Sequence, residues 1–207
     1  MKRDMFIVII DYNMGNISSV NSALKTVGAD VRVTNSARVI NNAGALVLPG
    51  VGGYRDAYRN LEKLKLIDVL KKNISKKIFL GICLGMQLLF EYSMENGKNE
   101  GLGIFKGSVE KIPPVVKVPH MGWNQLQILK KESKILDGIR EGENFYFVHS
   151  YYIKPENKDI ISSVTDYGIK IAAGIEKSNV YGIQFHPEKS SSCGLRLLEN
   201  FWNMVIE

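Results

Sequence analysis

Three stretches hold the residues that could do chemistry. In "FLGICLGMQLLF" Cys83 lies between Gly81 and Gly85; in "FHPEKS" His186 precedes Glu188 across Pro187; and "LVLPGVGGY" ends an apolar run on a cluster of glycines. A free cysteine ordinarily packs as a small hydrophobe, so Cys83 by itself has two readings. Its frame favours the reactive one, because Ile78-Phe79-Leu80 reads as a buried strand while Leu84, Gln87, Leu88 and Glu91 recur at helical spacing. Cys83 is thereby set on a strand-to-helix turn. The G-x-nucleophile-x-G pattern permits a sharp, strained elbow that pushes the central side chain out, and a helix starting there aims its free N–H groups at the sulfur, favouring thiolate over thiol.

A thiolate needs a base, and the sequence has three histidines, His120, His149 and His186. Each could be a packed histidine. His186 stands out because an apolar run ends just before it and Glu188 follows two positions on, with the fixed φ of Pro187 stiffening the turn. A carboxylate beside the imidazole holds its tautomer and stabilises the imidazolium, which makes a Cys-His-Glu set by role; the plainer reading of "HPE" is a strand-end turn with a surface acid. The glycines of "PGVGG" leave N–H groups unobstructed. Without a following Lys-Ser/Thr the loop is no Walker motif, so it is better used as an oxyanion loop facing Cys83, or it is only a flexible turn.

These residues need a scaffold. The periodicity predicts strand 5–11, a helix over about 17–27 closed by Gly28, strands 30–34 and 45–48, a helix over about 56–72, strand 77–82 and a helix over 84–92, which is the rhythm of a parallel sheet with crossover helices. After Gly101 the short runs "GSVEKI", "NQLQIL", "NFYFVHSYYI", "DIISSVTD" and "VYGIQF" predict a largely antiparallel layer. A last helix over 194–205 carries Leu195, Leu198, Phe201 and Trp202 on one face.

The 207 residues are 45% hydrophobic and carry a net charge of +6, which suits one domain over 1–207 with a single core. No run reaches the ~18 apolar residues of a membrane span, and the charged start lacks a cleavage site; a cytoplasmic protein with no membrane association is expected. Two cysteines and no C-x-x-C or H-E-x-x-H spacing give no disulfide framework and no metal site. The lysines between 63 and 77 read as a solvated helix face, with no aromatic-interleaved basic stripe for nucleic acid.

Taken together, "PGVG", "GICLGMQLLF" and "FHPEKS" resemble the class I, triad-type glutamine amidotransferases in order and spacing across nearly the whole chain. Within them, "DYNMGN", "VPHMGWNQL", "FYFVHSYY" and "GIQFHPEKSSSCGLRLLENF" are similar to the glutaminase subunits of imidazole glycerol phosphate synthases. The resemblance implies an α/β, flavodoxin-like three-layer fold with an added antiparallel layer in the second half. It makes Cys83 the nucleophile on the L-glutamine carboxamide, His186 the proton carrier and Glu188 its orienter, with oxyanion donors from the backbone N–H of Val51 and Leu84. It further assigns Gly50, Gly52, Gln87, Ser150 and Tyr151 to the glutamine pocket, and Asn16, Trp123, Tyr146 and Lys189 to a HisF-type (β/α)8 cyclase partner in a heterodimer. His120 and His149 become structural or interface residues, and no metal or organic cofactor is implied. The chain departs from the family at Asn13, where glycine is commoner, and in "GGYRDAYRN" after PGVG. A paralogue feeding ammonia to another synthase, a non-catalytic subunit and a free-standing γ-glutamyl hydrolase are the competing readings.

Overall fold

In the computed structural model, which describes residues 5–207, the apolar runs of the first half are parallel strands and the segments between them crossover helices. In chain order these are β1 (Ile7–Ile10), α1 (Ile17–Thr26), β2 (Val31–Thr34), α2 (Ala37–Asn42), β3 (Ala45–Gly50), α3 (Tyr54–Lys63), α4 (Ile67–Ile74), β4 (Ile78–Cys83) and α5 (Leu84–Gln87). Then follow β5 (Phe90–Ser93), β6 (Asn99–Glu100), β7 (Phe105–Lys111), β8 (His120–Gln125), β9 (Gln127–Ile128), β10 (Asn144–His149), β11 (Tyr151–Pro155), β12 (Ile161–Asp166), β13 (Lys170–Lys177), β14 (Val180–Ile183) and α6 (Ser191–Ile206). Residues 1–4 of the expected 1–207 domain lie outside the described residues.

One eight-stranded sheet runs β2-β1-β3-β4-β14-β13-β12-β9, parallel from β2 to β14 and antiparallel beyond. The β2-β1-β3-β4 order is that of a flavodoxin-like doubly wound sheet, whose ligand crevice lies at the carboxyl ends of the strands. β1 and β3 are buried throughout and β4 from its second residue on, as strands covered on both faces must be. One core fills the side that holds Leu46, Leu48, Tyr54 and Leu61, and the other the side that α1 and α6 cover with Val20, Leu24, Leu197 and Phe201. The antiparallel layer consists of the β8-β10 pair and a four-stranded sheet β11-β7-β5-β6, in which β5 and β7 are parallel.

The structure corrects four of the expected elements. The helix expected over 56–72 is two helices, α3 and α4, because Lys65 takes φ +56° and closes α3 with Leu66 N donating to Leu61 O and Lys65 N to Glu62 O; this is a Schellman cap without its customary glycine. The helix expected over 84–92 lasts one turn before β5 leaves to pair with β7. "VYGIQF" contributes β14, which lies parallel to β4 in the main sheet and is buried at every position, a continuous apolar run being the mark of a covered parallel strand. "NFYFVHSYYI" divides at Ser150 into β10, paired with β8, and β11, paired with β7. The short helix α2, six residues over Ala37–Asn42, lies in a stretch for which the periodicity predicts no element. Among the described residues no helix is long and apolar enough to cross a membrane.

Candidate active site

Cys83 ends β4 and Leu84 begins α5, so the cysteine occupies the elbow itself. Its backbone lies at φ +54°, ψ −110°, a region costly for a residue with a Cβ. The elbow can be this tight because a Cβ on Gly85 would come within 1.8 Å of Leu48 O in β3, so only a glycine lets the turn of α5 rest on the sheet. α5 is too short for a substantial macrodipole; what it offers is the N–H groups of its first turn, which have no intrahelical partner.

His186 follows β14, the strand beside β4, and its backbone N–H donates to Tyr146 O of β10 at 2.9 Å. Its Nδ1 lies 2.8 Å from Glu188 Oε1, both side chains being almost completely buried. Nε2 is buried without a conventional hydrogen-bond partner and has Cys83 as its neighbour. Burial works against the imidazolium, but interaction with Cys83 and Glu188 outweighs it and holds the His186 pKa up at about 10. His186 is therefore held protonated at neutral pH, with Glu188 against Nδ1 and Cys83 beside Nε2, an arrangement that can deliver a proton to a leaving group.

Beside Sγ opens a cavity of about 330 Å³ at the ends of β3 and β4, in the size range of small-molecule sites, ~300–1,000 Å³. It brings together Val51, Gly52, Leu84, Gln87, Ser150 and Tyr151, which the sequence scatters over 100 positions. Gly50 stands behind this lining, paired in register with Cys83 and pressed against Tyr12 Oη and Leu84. Three further polar residues belong to the site. Glu95 lines the cavity while accepting the Tyr54 N–H at 2.7 Å; it sits in "SMENGKNE", where nothing periodic marks it. Gln184, fully buried, donates to Cys83 Sγ at 3.4 Å, and a lone amide in the apolar run "VYGIQF" was the signal for it. His149 also lines the cavity.

His149 is joined to the other unused histidine. Its Nδ1 faces the Tyr151 carbonyl at 2.9 Å and so must donate; its bare Nε2 accepts from His120 Nδ1 at 3.0 Å, and His120 Nε2 accepts from Asn124 Nδ2 at 3.2 Å. The chain is consistent only with both rings neutral. Burial lowers both pKa values, to about 4 for His120 and about 3 for His149. His120 lies between Phe147 and Tyr167.

Three of the four residues expected at a partner surface form one patch: Trp123 is 54% exposed and meets the Tyr146 ring edge-on at 6.0 Å, and Lys189 Nζ stands 5.7 Å over the same ring. Asn16 lies at the start of α1 and binds Ser19. Asn13 has φ +63°, the left-handed turn that asparagine tolerates in place of glycine.

The profile of the family "Glutamine amidotransferase class-I" matches residues 8–204. The "Imidazole glycerol phosphate synthase subunit HisH" of Aquifex aeolicus is 55% identical over 196 residues, 94% of each chain. The protein of the same name from Caldanaerobacter subterraneus subsp. tengcongensis is 54% identical over 198 residues, 95% of this chain and 97% of the relative. Among solved structures, PurLQS from Thermotoga maritima superposes with a TM-score of 0.76 at 17% identity, covering 97% of this chain and 98% of that one. A crystal structure described as a glutamine amidotransferase gives 0.75 at 16%, covering 96% and 98%; at such identities the likeness is one of fold.

Proposed function

The chain belongs to the class-I glutamine amidotransferases, and from that membership we propose that it hydrolyses L-glutamine as the glutaminase subunit of an imidazole glycerol phosphate synthase and hands the ammonia to a HisF-type (β/α)8 cyclase. Residues 1–207 act as one glutaminase domain. The observation that carries the reading is the strained Cys83 elbow set beside the His186–Glu188 pair at a cavity with a single carboxylate, Glu95.

In this mechanism the Cys83 thiolate attacks the carboxamide carbon and a C–S bond forms. The oxygen takes up the charge between the N–H groups of Val51 and Leu84, at the end of β3 and the start of α5. His186 gives its proton to the departing nitrogen, the C–N bond breaks and ammonia leaves a thioester. Water then adds, losing a proton to His186, and the C–S bond breaks to release glutamate and restore the ion pair. Glu95 pairs with the substrate's ammonium, and Gly52, Gln87, Ser150 and Tyr151 enclose the rest of the amino acid. Asn16, Trp123, Tyr146 and Lys189 dock the cyclase.

Cys83→Ala should abolish glutamate release while leaving folding and cyclase binding intact, since little packing volume is lost. Cys193→Ala is the control: that thiol is half-buried at α6, away from the elbow. Glutamate formation by Cys83→Ala at a rate near the parent's would refute the assignment.

A further inference from the structure

Gln184 takes no part in the steps above, yet it is wholly buried against the reacting sulfur. Its Nε2 donates to Cys83 Sγ at 3.4 Å, and its Oε1 accepts from Gln87 Nε2 at 3.0 Å. A side-chain amide in such a place could turn over and present its oxygen to the sulfur instead. Gln87 prevents this, because its own amide orientation is set by the Tyr151 carbonyl, which takes Gln87 Nε2 at 2.9 Å and is itself held by His149 Nδ1. Three elements thus agree on which end of Gln184 faces Cys83.

We propose that Gln184 is a positioning residue for the nucleophile: its amide N–H stabilises the Cys83 thiolate and aims the sulfur into the cavity, and Gln87 fixes the face that it presents. A donor hydrogen-bonded to the charged form favours that form. The titratable groups around Sγ are His186 after β14 with Glu188 behind it, Tyr12 after β1, and, lining the cavity, His149 from β10, Tyr151 from β11 and Glu95 after β5. Gln184 differs from all of them in keeping its donor at every pH. Its contribution therefore persists where His186 loses its proton.

The proposal rests on Cys83 being the nucleophile. The test is the pH dependence of iodoacetamide alkylation of Cys83, followed in a Cys193→Ala background, together with kcat and KM for glutamine hydrolysis in the complex with the cyclase. Gln184→Glu keeps the oxygen that Gln87 binds and exchanges only the donor facing sulfur; the alkylation midpoint should rise by about 1–2 pH units. kcat should fall about 10–100-fold with KM changed less than about threefold. Gln184→Met, which lacks any donor, should move the midpoint in the same direction. In the unsubstituted protein the side-chain amide resonance of Gln184 should shift as Cys83 titrates, a readout that survives if a variant fails to fold. An unmoved midpoint in a folded variant, or an amide signal blind to the Cys83 titration, overturns the role of Gln184 while alkylation still stops turnover. Turnover that continues in Cys83→Ala overturns the nucleophile itself.

Discussion

The histidines divide into one that is held charged and two that are held neutral, and pH should separate them. His186 has its folded pKa raised to about 10, above the ordinary 6.5, so its contribution to stability is fully present below about 6.5 and is lost as pH rises through about 10. His120 and His149 are shifted the other way, to about 4 and about 3. The unfolded chain therefore takes up these protons first, and the native state loses stability as pH falls from about 6.5 toward 3. Urea midpoints measured from pH 7 down to 4.5 should decline less steeply in His149→Gln than in the parent; parallel declines would contradict the neutral pair. In catalysis, His186→Asn should cost more than Glu188→Gln, on the order of 10⁶-fold against 10⁴-fold as for base and orienter in other triads. Single-turnover assays of the two variants check the order, and a comparable loss at His120→Asn would sink it.

At the level of elements, two helices end in the same way with different residues. α1 closes with Gly28 at φ +83°, Ala29 N reaching Leu24 O and Gly28 N reaching Lys25 O; α3 closes with the same pair of bonds around Lys65. Lys65→Gly should accordingly stabilise the fold by about 0.5–1 kcal/mol, since a left-handed residue with a Cβ is strained, and thermal unfolding should show a raised midpoint. Gly85→Ala should do the opposite and leave little folded protein, because the added methyl has only the Leu48 carbonyl to occupy. The pair explains what could be read from the sequence. Gly28 announced its helix end, whereas Lys65 looked like one more solvated lysine and concealed the break between α3 and α4. The elbow, the His-Pro-Glu turn and the glycine loop were legible because the chemistry fixes residue type at short spacing. Glu95 and the split at Ser150 were not, since strand pairing between distant segments decides them. The apolar spacing of Leu84 and Leu88 suited a longer helix until β7 drew Phe90–Ser93 into a sheet.

For the molecule as a whole, one strand joins the expected docking face to His186. β10 holds Tyr146 beside the exposed Trp123, and the Tyr146 carbonyl receives the His186 N–H. A cyclase docked there, as proposed, would press on the backbone that holds His186. Trp123→Ala should weaken the complex about 30-fold or more, as loss of a central aromatic anchor does, with thermal stability of the isolated chain unchanged; titration calorimetry measures the affinity and scanning calorimetry the stability. Glutamate release should rise at least ~100-fold when the liganded cyclase is added, the size expected if partner binding supplies one oxyanion donor. Val51→Pro removes that N–H and should abolish the rise while complexes still form. Equal rates for the chain alone, with the cyclase and with the liganded cyclase would dispose of the coupling.

The backbone of Cys83 carries a final consequence. At φ +54°, ψ −110° the residue is held in a conformation that glycine adopts freely, so activity and resilience to heat compete at one position. Cys83→Ala keeps the Cβ and with it the distortion. Cys83→Gly releases it, by roughly 1–3 kcal/mol, and the inert glycine variant should melt above the equally inert alanine one. Resistance to heat alone thus favours glycine at this position, whereas the nucleophile proposed here requires cysteine.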